Sequence, residues 1–138
     1  MSFYGSCQPS DGQLPLVVTL AGCHQGQTKL GVDFGWAALV GDERLSEASF
    51  IDFRNPAKFD DPIRGCTILS RNIIQGVEYA KLKSGQSDIS MLLLGGDHTA
   101  SIGSVMASRN INPATRLVWI DAHPDINTPW TTLSVSEN

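Results

Sequence analysis

Apolar residues collect along this chain in four short runs separated by longer polar or amphipathic stretches. The first, 15–22 (Pro-Leu-Val-Val-Thr-Leu-Ala-Gly), is a continuous apolar run of strand length stopped by glycine, which predicts a buried strand. Ser49-Phe50-Ile51-Asp52-Phe53 alternates and predicts a second strand, broken by Asn55-Pro56. Residues 89–94 predict a third, and Leu117-Val118-Trp119-Ile120 a fourth. Between the second and third runs, Leu69, Ile73, Val77 and Ala80 recur at helical spacing from Ile68 onward, with Leu82 flanking that face. Asp60-Asp61-Pro62 supplies a cap and a first-turn proline for this helix. Lys81 and Lys83 complement its negative end, and Gly85 stops it. A further helix is predicted from Thr99 to about Arg109, with Ile102, Val105 and Met106 turned inward and 110–113 ending it. Residues 36–40 predict a short helix with Asp33 near its positive end. Residues 1–14 read as a loose terminus, and 128–138 carry no helix or strand signal. Strands alternating with helices predict an α/β fold with a parallel sheet.

Length and composition narrow the classes. At 138 residues, a single domain with a real core is expected. A net charge of −4 with no basic stripe argues against a nucleic-acid partner. No apolar run approaches the length needed to cross a membrane, and the N-terminus lacks the basic and apolar regions of a signal peptide. Cys7, Cys23 and Cys66 are odd in number and scattered, which predicts reduced thiols in a cytoplasmic protein.

The candidate chemistry sits where the third and fourth runs end. The third runs into Gly95-Gly96-Asp97-His98, the fourth into Asp121-Ala122-His123-Pro124-Asp125. Carboxyl ends of parallel strands are where open α/β sheets build sites. Asp121, His123 and Asp125 alternate at period two, so an extended backbone would present all three on one face. Taken singly, His98 reads more readily as a core or capping histidine and Asp121 as a turn cap. Together, four ionisable groups beside apolar strands would each carry a large desolvation cost without a shared metal. Imidazole plus carboxylate oxygens suits a divalent ion of intermediate hardness, Mn²⁺ better than Zn²⁺. Such an ion generates hydroxide near neutral pH, so metal-activated hydrolysis is the expectation. Gly95-Gly96 lacks the Lys-Ser/Thr ending of a phosphate loop and more simply lets the backbone turn so that His98 faces inward. Asp97 reads as an orienting neighbour rather than a ligand. His24, alone after the first strand, reads as a solvated loop residue that could border the site.

Gly95-Gly96-Asp97-His98-Thr99 with Ile102-Gly103-Ser104, and 119–129 (Trp-Ile-Asp-Ala-His-Pro-Asp-Ile-Asn-Thr-Pro), resemble the two N-terminal signatures of the ureohydrolases, and the second resembles arginase in particular. The glycine-rich segment 26–35 is similar to that family's N-terminal segment, which extends the likeness from about Pro15 to Ser134. The resemblance implies a three-layer αβα fold with helices on both faces of the sheet, and hydrolysis of L-arginine to L-ornithine and urea. It implies two Mn²⁺ ions in a complete subunit, held here by His98, Asp121, His123 and Asp125. Asp121 and Asp125 are the better candidates to span both ions, and Asp125 is carried as catalytic as well as ligand. Asn127, Thr132 and Ser134 fall on the positions that bind the substrate α-carboxylate, which favours an amino acid over agmatine. Physically, neutral donors suit a carboxylate without needing a buried countercharge. A homo-oligomer is implied for the full-length form.

The resemblance also implies that the chain is an incomplete arginase-like domain with a divergent tail at 128–138. After Ser134 the family pattern Gly-Asn-Leu-His gives way to Val-Ser-Glu-Asn, putting Asn138 where a proton-shuttling histidine is expected. In the family sheet two further strands separate those matched by 89–94 and 117–120. The chain alone is therefore expected to bind Mn²⁺ weakly and to have negligible activity. The alternatives are another ureohydrolase such as an agmatinase, or a non-catalytic fragment or partner of a full-length subunit.

Overall fold

A computed structural model describes residues 3–4, 12–24, 31–40, 48–52 and 61–122. It is an α/β fold whose central strand is β2 (Leu16–Ala21). β3 (Phe50–Asp52) and β4 (Ser90–Gly95) flank β2, both parallel to it, and β1 (Phe3–Tyr4) pairs antiparallel on the outer edge of β3. The sheet order is therefore β1-β3-β2-β4. Residues 1–14 were expected to be loose, yet Phe3 and Tyr4 register with Asp52 and Ile51. Two residues are too few to show a period, so the sequence carries no signal for this strand.

β2 is apolar on both sides because both are covered. Val17 and Ala21 face α2 (Pro62–Ser84) and α3 (Thr99–Ile111). Val18 and Leu20 pack on the other side with Leu92, Leu94 and Trp36, which lies in α1 (Gly35–Val40) after a 3₁₀ turn at Val32–Phe34. Helices thus lie on both faces.

α2 begins where its cap allows. Asp61 is extended (φ −128°, ψ 117°), and its Oδ1 accepts from the Ile63 and Arg64 amides at 2.9 and 3.2 Å. Pro62 occupies the first turn without losing a bond. Gly85 closes the helix at φ 70°, its N–H donating to the Lys81 carbonyl. Cys66, Leu69, Ile73, Val77 and Ala80 form the buried stripe, and Tyr79 meets Phe50 edge to face.

α3 inverts the expected packing. Ile102 and Met106 are 56% and 46% exposed, whereas Ala100, Gly103 and Ala107 are buried. The reason is proximity: a Cβ on Gly103 would lie 2.9 Å from the Cys66 carbonyl oxygen and 3.0 Å from Leu69 Cδ2. Two helices this close admit only the small-residue face.

The fourth predicted strand does not form. Residues 117–120 are irregular, with Leu117, Val118 and Ile120 61%, 80% and 94% exposed. An apolar run becomes a strand only against a neighbouring edge, and among the described residues β4 is paired only with β2.

Candidate metal centre

β4 ends at Gly95, and a tight turn leads through Gly96, Asp97 and His98 into α3. Gly96 is required by space: a Cβ there would fall 2.0 Å from the Cys23 carbonyl oxygen and 3.0 Å from that of Val32. Neither Gly95 nor Gly96 has positive φ, so close approach, rather than an unusual turn conformation, accounts for Gly96. The Asp97 N–H donates to that same Cys23 carbonyl at 3.1 Å. Asp97 Oδ1 accepts from the Thr99 N–H at 2.9 Å, satisfying one of the first amides of α3. Asp97 thereby ties the turn to the Cys23 backbone and to the first turn of α3.

His98 opens onto the segment that follows α3. Its Nε2 lies 3.3 Å from Asp121 Oδ2, and its ring meets Trp119 edge to face at 5.5 Å. Asp121 Oδ1 accepts from the Ala122 N–H, turning the carboxylate back on its own backbone. The Asp121 side chain is 15% exposed, but that of His98 is 59% exposed. His98 was expected to face inward; instead Trp119 and Asp121 cover only part of its ring. Ile102, Val105 and Met106 join His98 and Trp119 around an open, mostly apolar hollow of about 500 Å³. His24 is half-buried beyond the end of β2.

Of the proposed ligands, the structure brings together His98 and Asp121. His123 and Asp125, and the proposed substrate residues Asn127, Thr132 and Ser134, lie outside the described residues. Among the described residues, no three of His, Cys, Asp and Glu gather closely enough to hold a metal. The pair present offers one imidazole nitrogen and one carboxylate oxygen, which fits a divalent cation of intermediate hardness. Asp121 follows an irregular segment, so the period-two argument for one shared face finds no strand to act through at 117–121.

Sequence reasoning missed Trp119 and two cysteines. Trp119 reads as strand core but meets the His98 ring. Cys23 donates its S–H to the Asp97 carbonyl at 3.5 Å, and Cys66 donates to the Thr99 carbonyl at 3.4 Å. Burial pushes both thiols up from their ordinary value, so they remain donors.

A mostly parallel sheet with helices on both faces, and an imidazole meeting a carboxylate beyond the end of β4, define an α/β protein with a candidate site at that sheet end. The chain belongs to the arginase family, whose sequence profile matches residues 17–137. It is 32% identical over 145 residues to "Arginase-2, mitochondrial" of Mus musculus, covering 89% of this chain and 41% of that protein. To "Arginase-1" of Mus musculus it is 32% identical over 124 residues, covering 80% and 38% respectively. A shorter match to "Arginase-1" of Homo sapiens reaches 51% identity over 43 residues, 31% of this chain and 13% of that protein. The chain spans about two-fifths of the length of the relatives it matches most extensively.

Proposed function

We propose that this chain carries part of an arginase-type centre for the hydrolysis of L-arginine to L-ornithine and urea. The observation that carries the reading is the approach of His98 Nε2 to Asp121 Oδ2, two residues far apart in sequence and each just beyond an apolar run. His98 and Asp121, joined by His123 and Asp125, would hold Mn²⁺. When bound, the metal supplies hydroxide from coordinated water near neutral pH. Asp121 is oriented by the Ala122 amide, and the Trp119 ring lies against that of His98. Asn127, Thr132 and Ser134 would bind the substrate α-carboxylate through neutral donors.

The test is a calorimetric Mn²⁺ titration of the 138-residue chain beside H98A and D121A, with urea release measured on L-arginine and on agmatine. Weak binding that each substitution removes is expected, with negligible turnover. Binding that both substitutions leave untouched sinks the ligand assignment. Turnover of agmatine in preference to arginine moves the reading to another ureohydrolase. The exposed Leu117, Val118 and Ile120 favour one second reading, a non-catalytic subunit docked on a longer relative. Co-purification of the two chains tests it.

A further inference from the structure

Two buried thiols, from different elements, reach the backbone on either side of His98. Cys23 follows β2, is fully buried, and donates to the carbonyl of Asp97. Cys66 sits in the second turn of α2, is 3% exposed, and donates to the carbonyl of Thr99. We propose that Cys23 and Cys66 are positioning residues for His98, their S–H groups fixing the Asp97–His98 peptide before it and the Thr99–Ala100 peptide one residue beyond it. The metal role of His98 rests on the function proposed above; the positioning does not.

The geometry supports a pair acting together. Asp97 is already docked on the Cys23 backbone through its N–H, and Gly96 lets the two segments touch. The Cys23 thiol adds a second tie between the same two segments, which resists rotation of the Asp97–His98 peptide where one bond alone would act as a pivot. Cys66 supplies the opposing tie through α2, which lies close against α3 at Gly103. Thiols suit the task because they are apolar enough for full burial yet still donate. A hydroxyl would donate more strongly but carries a larger desolvation cost. The His98 ring meets Asp121 and Trp119, and the backbone beneath it sets where those contacts can form.

The test uses the isotopically labelled full chain, without metal, as wild type, C23A, C66A, C23S and C66S. The His98 Cε1–H resonance, assigned by its loss in H98Q, reports ring position because Trp119 lies edge-on at 5.5 Å. Hydrogen exchange at Thr99 and Ala100 is compared with Ile73 and Val77 in the core of α2. Each alanine variant should move the resonance and speed exchange in the turn about threefold, the scale of one weak hydrogen bond, leaving the α2 amides unchanged. Each serine variant should return the resonance toward wild type. An unmoved resonance in both alanine variants, failure of serine to restore it, or equal acceleration of all four amides overturns the proposal. Adding Mn²⁺ then tests the other reading separately: a His98 signal that Mn²⁺ does not broaden defeats the metal role and leaves the positioning result standing.

Discussion

Replacing Gly96 by alanine should be among the most damaging small changes to this chain. The added Cβ would sit 2.0 Å from the Cys23 carbonyl oxygen, and an ordinary contact begins at 3.4 Å. The two segments must therefore separate by about 1.4 Å, and the obstacle is backbone that cannot rotate aside. That movement breaks the 3.1 Å bond from the Asp97 amide to the same oxygen and stretches the Cys23 thiol contact beyond it. Overpacking costs about 1–3 kcal/mol and a lost hydrogen bond about 1 kcal/mol, so the expected destabilisation is about 2–4 kcal/mol. Gly95 provides the control one residue away. Its Cβ would meet the Ala100 methyl at 3.2 Å, a gap that closes with a shift of a few tenths of an ångström. Urea unfolding followed by circular dichroism should place G96A well below wild type, with G95A close to it. If G96A unfolds within about 1 kcal/mol of G95A, the close approach is not a constraint and the account of this turn fails.

D61A removes the acceptor for two α2 amides and should cost about 1 kcal/mol in the same assay, with D61N retaining most of the stability. G103A places a methyl 2.9 Å from the Cys66 carbonyl and should cost about 1–3 kcal/mol, whereas M106A, on the exposed face, should cost far less. Both thiols titrate above their ordinary 9.0 in the folded chain, so the unfolded state loses its protons first. Their contribution to stability is complete below 9.0 and declines as pH rises from that value toward the folded one. Urea midpoints at pH 7.5 and pH 10 should therefore converge when Cys23 and Cys66 are replaced by serine; an unchanged gap refutes the linkage.

The elements legible in the sequence are those whose causes are local. Asp61-Pro62 and Gly85 bound α2 because capping is decided within a few residues, and the continuous apolar run of β2 announces burial on both sides. What escaped depends on distant partners. Residues 117–120 read as a strand from composition, but pairing needs an edge that no pattern within the run reveals. Ile102 and Met106 read as core because they are large and apolar; the close approach of α2 decides otherwise, and that distance is written in Cys66 and Leu69 rather than in α3. His98 and Asp121 are legible as neighbours because each closely follows an apolar run. The thiols are not, because their partners are backbone carbonyls, which leave no mark in side-chain chemistry.

The placement of β2 between β3 and β4 sets a timetable for synthesis. Ala21 is made first, Asp52 follows 31 residues later and Gly95 74 residues later. At about 5–20 residues per second, the most apolar strand waits roughly 4–15 s for its second neighbour. During that interval one edge of β2 is open, and α2 emerges before the strand whose arrival completes its seat. Slowing translation between residues 52 and 95 should therefore increase chaperone association with the nascent chain, whereas slowing it after Ile111 should have much less effect.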